Sequence, residues 1–200
     1  MATATRPRVL LISLSLEPWF DEMYDQLLEK LGMKATIQRA KTPGAALRAI
    51  SENAPSAILV TDAAPTTPEH TQVWDEILKH VRQGGTAVCM GHFSTFVKPL
   101  DMKPFFERAG LRWEAGAYER TTVALNRDAA GNDLAAALPL RYSQKAIFLK
   151  NVDSAAAWYR PNEDSVIESH VFAPTPATNL QETPVAFATV GMASSDTLAM

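Results

Sequence analysis

Val9–Leu16 reads VLLISLSL, a near-continuous apolar run of the kind a strand shows when both of its faces are covered. Phe20, Met23, Tyr24, Leu27, Leu28 and Leu31 then recur at helical spacing, one stripe of an amphipathic helix, and Gly32 stands where a cap would end it. Lys34–Ala40 reads as a weaker strand. Thr42-Pro43 has the form of an N-cap followed by a first-turn proline, opening a helix that carries Ala46, Leu47, Ile50 and Ala54. Ala57–Thr61 (AILVT) is a third strand. Thr67-Pro68 opens a third helix with Val73, Ile77, Leu78 and Val81 turned inward. Gly84-Gly85 ends that helix, and Thr86–Met90 (TAVCM) is a fourth strand.

Strands alternating with helical crossovers run parallel, and right-handed crossovers place helices on both sides of them. The pattern therefore predicts an α/β fold, a three-layer sandwich on a flavodoxin-like parallel sheet. The second half differs. Asp101–Ala109 reads as a short helix capped by Gly110. Tyr118–Leu125, Ala146–Lys150, Ala155–Tyr159, Ser165–Phe172 and Val185–Val190 are strand-like, and Asn132–Leu138 is helical. These are expected as mixed or antiparallel edge strands added to the same sheet, within one domain spanning 1–200. Residues 193–200 carry little core signal and are expected to form a frayed tail.

Composition narrows the partners. The chain has 200 residues, 46% of them hydrophobic and 20% charged, which is globular rather than disordered composition. Nineteen basic against 22 acidic side chains leave a net charge of −3, with no basic field for a phosphate backbone, so nucleic acid is not the expected partner. Arg6 and Arg8 precede the first apolar run. That run is short, is followed by Glu17-Pro18 and lacks a small-x-small cleavage site, so it reads as a strand rather than a signal peptide. No stretch approaches the roughly 20 apolar residues of a membrane span. Cys89 is the single cysteine, which excludes an intrachain disulfide and a multi-cysteine metal site. A cytoplasmic, reducing location is expected, and no metal or cofactor, since no close ligand-spacing motif occurs.

In an open α/β sheet, ligands bind beyond the carboxyl ends of the strands. Glu17, Asp62, Cys89 and His92 fall there. Cys89 lies in Ala87-Val88-Cys89-Met90-Gly91, a nucleophile at a strand end with glycine two residues on, the sequence shape of a nucleophile elbow. Such a turn lifts the side chain above the sheet and aims backbone N–H groups at a developing oxyanion. The alternative is a cysteine that fills core. Glu17 either tunes the thiol or starts a helix, where an acid suits the dipole. His92 either shuttles protons and holds substrate or simply begins a helix. Asp62 is either a cavity group or a turn residue before Pro65. Trp19, Phe20, Phe93 and Phe96 either wall a pocket or pack as core. His170, on a half-exposed strand, is a weaker candidate.

The turn around Cys89 and the order of elements before it resemble the class I glutamine amidotransferase-like superfamily, which includes the DJ-1/PfpI and ThuA-like proteins. Lys145–Val152 (KAIFLKNV) and Thr183–Gly191 (TPVAFATVG) are similar to terminal strands of the amidotransferase-like and ThuA-like branches. The resemblance implies a cysteine-dependent hydrolase or lyase acting on a small carbonyl or amide compound. Cys89, Glu17 and His92 would be catalytic, and Asp62, Gly91, Trp19 and Phe93 would hold substrate. It also implies a homodimer, since relatives with this fold often form dimers. The departures are specific. Thr61-Asp62-Ala63-Ala64-Pro65 replaces the glycine-rich oxyanion loop of amidotransferases, and no glutamate follows His170 two residues on, so the standard glutaminase triad is not present. Met90 stands where DJ-1/PfpI proteins place a small residue or histidine. Gly191-Met192-Ala193-Ser194-Ser195 departs from the ThuA-like ending. The alternative expectation is a non-catalytic relative used for ligand binding or subunit assembly.

Overall fold

A computed structural model describes residues 6–191. Within them, residues 6–97 with 190–191 form one unit and residues 98–189 a second. The expected tail at 193–200 lies outside the described residues.

The first unit is built on four parallel strands, β1 (Arg8–Ile12), β2 (Thr36–Ala40), β3 (Ala57–Val60) and β4 (Thr86–Cys89), in the order β2-β1-β3-β4. Its helices are α1 (Phe20–Met23), α2 (Asp25–Lys34), α3 (Pro43–Glu52), α4 (Thr71–Arg82) and α5 (Phe93–Phe96). The chain steps one way from β1 to β2 and the other way through β3 to β4, so right-handed crossovers divide the helices between the two faces. Val9 and Leu11 of β1 face α2, packing with Leu28, Leu31, Ile37, Ala57 and Leu59. Leu10, Ile12, Ile58 and Val60 alternate to the other face and are wholly unexposed. Ala46, Ala49 and Ile50 of α3 and Val73, Trp74, Ile77 and Leu78 of α4 are the buried helix residues there. The expected α/β three-layer sandwich is present.

Local departures from the sequence pattern have local causes. Thr42 caps α3 as expected, its Oγ1 accepting from the Ala45 amide at 3.3 Å. Gly32 does not cap α2. The helix runs on to Lys34, and the Ala35 amide still bonds Leu31 O at 2.8 Å before the chain turns extended into β2. The expected single helix from Phe20 is interrupted at Tyr24. Pro68–His70 forms one 3-10 turn, so α4 starts only at Thr71.

In the second unit, α6 (Pro99–Glu107) precedes β5 (Glu114–Leu125), α7 (Arg127–Ala130), α8 (Asn132–Ala135), β6 (Arg141–Lys150), β7 (Ala157–Arg160), β8 (Val166–Glu168), β9 (Thr175–Pro176) and β10 (Val185–Ala186). The antiparallel strands expected for this half are present, and they hydrogen-bond to one another as a sheet of their own, order β10-β7-β5-β8-β9 with β6 on β5. β5 and β6 make a long hairpin, paired from Glu114↔Lys150 to Ala124↔Arg141, with an irregularity between Ala115 and Tyr118. Val123, Phe148 and Tyr159 form its core. Ser165–Phe172 contributes only β8, and His170 sits exposed beyond that strand.

Candidate functional site at the carboxyl ends of the parallel strands

The strand order reverses between β1 and β3, and this switch point is where a doubly wound sheet opens its ligand crevice. Two buried hydroxyls meet there. Ser13 Oγ and Thr61 Oγ1 are 2.8 Å apart, and Thr61 Oγ1 also donates to Ile12 O at 3.0 Å. Both residues are buried. Asp62, next in the chain, is buried too. Its carboxylate accepts from the Ser15 amide at 2.9 Å and the Ala64 amide at 3.0 Å, one bond to each oxygen. Asp62 thus clasps the loop after β1 to the loop after β3.

The bend after β4 belongs to Gly91. Its φ is 63°, whereas Cys89 is not among the residues with positive φ. The ladder with β3 carries on past Cys89: the Met90 amide bonds Val60 O at 2.9 Å and the His92 amide bonds Thr61 O at 3.0 Å. A Cβ on Gly91 would lie 3.0 Å from Phe20 Cε2, so the Phe20 ring occupies the space above the turn.

Cys89 is in register with Val60, and Val60 with Ile12, which puts its side chain on the α4 face of the sheet. The residue is partly buried, but its sulfur is removed from water enough that burial pushes the thiol up to about 12. Burial thus favours the neutral thiol at pH 7. Among the described residues no hydrogen bond reaches the sulfur. Glu17 is half-buried and engages through its backbone, its carbonyl accepting from the Phe20 amide at 3.1 Å. The structure does not join the Glu17 carboxylate to Cys89 by a hydrogen bond.

His92 is only 3% exposed. Its ring stands edge-to-face with Phe20 at 5.2 Å, Phe96 at 5.3 Å and Tyr24 at 5.7 Å, and tilted to Trp19 at 6.4 Å. Its Nδ1 is sealed from water without a hydrogen-bond partner. Phe93, beside it in sequence, is buried. The structure therefore brings His92 and Trp19 together in an aromatic cage, sets Asp62 into a turn, and leaves Cys89 and Glu17 outside that cage's contacts. Tyr24, Ser13 and Thr61 are the members that sequence reasoning did not single out. The serines interrupting the apolar run at 13 and 15 were the available signal.

Among the described residues no group of three His, Cys, Asp or Glu side chains is placed to hold a metal ion, and no helix is long and apolar enough to cross a membrane. In the second unit an open cavity of about 450 Å³ is lined by Lys150, Asn151, Thr178 and Glu182 among others, and Cys89, Glu17, His92, Asp62, Trp19 and Phe93 are not among its lining residues.

A parallel sheet in the order 2-1-3-4 with helices on both faces defines an α/β protein of the doubly wound class. Its fold is similar to that of a crystal structure from Bacteroides uniformis ATCC 8492 described as ThuA-like. The TM-score is 0.54 at 13% sequence identity, over 92% of this chain and 85% of that one. The likeness is one of fold. No protein-family model matches the sequence, and no curated protein matches it.

Proposed function

We propose that this chain is a non-catalytic domain of ThuA-like fold whose work is subunit assembly. The observation that carries the reading is Cys89 itself. The thiol is held neutral by burial, on a strand without positive φ, while Phe20 fills the space over the adjoining turn. A nucleophile needs the thiolate, and burial disfavours that form here. The rate of alkylation by iodoacetamide, followed by intact mass across the alkaline range, tests this. The rate is expected to stay low through the region where a free thiol titrates, about 8.5. A rate that levels off at or below that value overturns the reading.

A second reading keeps one specific observation in its favour: Cys89 ends β4 two residues before the Gly91 turn, with His92 directly after it. In that reading the chain is a cysteine-dependent hydrolase or lyase of the DJ-1/PfpI or amidotransferase-like kind, acting on a small carbonyl or amide compound in the cytoplasm. Cys89 attacks, Glu17 tunes it, and His92 moves the proton. Asp62, Gly91, Trp19 and Phe93 surround the substrate. Loss of a turnover by Cys89→Ser in a screen of such compounds supports it; an activity that survives the substitution removes it.

A further inference from the structure

The helical segment after β1 carries an apolar stripe that the fold leaves in solvent. Trp19, Met23 and Leu27, spaced four apart, are 47%, 59% and 44% exposed, and Met33 is 66% exposed. They belong to one surface because the hydrogen-bond ladder runs through the Tyr24 interruption: Tyr24 N bonds Phe20 O and Leu28 N bonds Tyr24 O. Helix α2 contains no fully buried residue. Phe96 is also exposed, and its ring and that of Trp19 both contact the buried His92 ring. Several large apolar side chains exposed along one surface segment mark an interaction site.

The charges on the segment point to what covers it. Glu22 and Lys30 are exposed, each four residues from Gln26, and neither has an ion-pair partner among the described residues. The Asp21 carboxylate is taken by Arg39 instead. A two-fold axis beside Gln26 sets two such helices antiparallel. Glu22 then faces the partner's Lys30, twice by symmetry, and Trp19 comes toward the partner's Met33. Glu22 and Lys30 are thus complementary across the axis. Four acids (Asp21, Glu22, Asp25, Glu29) against Lys30 and Lys34 make it acidic overall, which disfavours an anionic lipid surface.

We infer that α1 and α2 form the contact face for a second copy of this chain, in an isologous antiparallel pair centred near Gln26. The inference rests on the assembly reading above and names its partner. Sedimentation of the full 200-residue chain tests it. A dimer with a dissociation constant below about 100 µM is expected, a weak-to-moderate affinity suited to a small helical interface. Leu27→Glu is expected to give monomer, with a thermal melt matching that of the natural chain at concentrations too low for dimer, since the side chain is exposed in the single chain. Lys30→Glu alone weakens the dimer at least about tenfold, and combining it with Glu22→Lys restores it, which a merely folding-related effect would not do. A chain still monomeric at about 500 µM, or a dimer that Leu27→Glu and the charge swap leave untouched, overturns the inference. A reactive Cys89 thiol would instead sink the non-catalytic reading while leaving this measurement intact.

Discussion

Ser13 Oγ and Thr61 Oγ1 meet at 2.8 Å inside the protein, tying the end of β1 to the end of β3. The two hydroxyls are not equivalent. Thr61 donates onward to Ile12 O, so the Ser13 hydroxyl depends on Thr61 as its acceptor. Thr61→Val therefore strands a buried hydroxyl and is expected to cost about 1–3 kcal/mol, against about 1 kcal/mol for Ser13→Ala. The double variant should cost less than the sum of the two. Urea unfolding of all three checks this, and strict additivity would refute the coupling.

Gly91 and Gly110 separate two kinds of glycine requirement. Both have positive φ, 63° and 77°, but only Gly91 has a neighbour in the way, Phe20 Cε2 at 3.0 Å from a built Cβ. Gly110→Ala should cost about 1–2 kcal/mol of backbone strain alone. Gly91→Ala adds an overpacking cost of roughly another 1–3 kcal/mol. Trimming the obstacle with Phe20→Leu should make Gly91→Ala less damaging than it is in the natural background. Equal penalties with and without that trimming, measured by denaturant titration, would remove Phe20 as the cause.

His80 makes stability fall on mild acidification. Its ring is buried on α4 against Gly85, where a Cβ would come within 2.1 Å of Nε2. Burial lowers its pKa below the ordinary 6.5, so the unfolded chain takes up the proton first. The contribution of the neutral ring is complete above pH 6.5 and is lost as pH falls from there through the lowered folded value. A Tm-against-pH series should show this descent in the natural chain and a flatter one in His80→Gln.

Glu119 acts with the opposite sign in the second unit. Burial, then the nearby Glu182 charge, raises its pKa above the usual 4.5. One carboxylate oxygen is buried without a partner, while Glu182 Oε2 is held by the Ala117 amide at 2.7 Å. The ionised carboxylate opposes folding at neutral pH, and acidification relieves it as pH falls through the raised folded value, the relief being complete by 4.5. Glu119→Gln is expected to raise Tm at pH 7, with the gain fading as the pH approaches 4.5. A gain that persists at low pH would point to packing instead of charge.

The first half of the fold was legible because its signals are local. Apolar runs at Val9, Ala57 and Thr86 and the Thr42-Pro43 cap each declare an element without outside help. Gly32 misled because a glycine caps a helix only when the chain takes a left-handed φ there, and the bond from Ala35 to Leu31 holds it helical. The bend after β4 was visible, but its owner was not. Cys89 and Gly91 sit two apart, and only the continued ladder from Met90 and His92 to β3 hands the turn to the glycine. His92 was readable as a helix-start histidine. Its cage was not, since Tyr24 and Trp19 reach it through folding rather than through spacing. In the second half, strand-like composition was evident from sequence, while the choice of hydrogen-bonding partner depends on pairing energies between distant segments that a single sequence does not display.

The loose seating of α2 sets where this protein first lets go. With no side chain wholly out of water, the helix is retained by Leu28 and Leu31 on the sheet and, just ahead of it, by the paired bonds between Arg39 and Asp21. Few apolar atoms need to be wetted to release it, so its amides should trade hydrogen for deuterium well before those of β1 or α4. Anything that clasps this segment from outside would slow that exchange and, without touching the central strands, hold the native state together for longer.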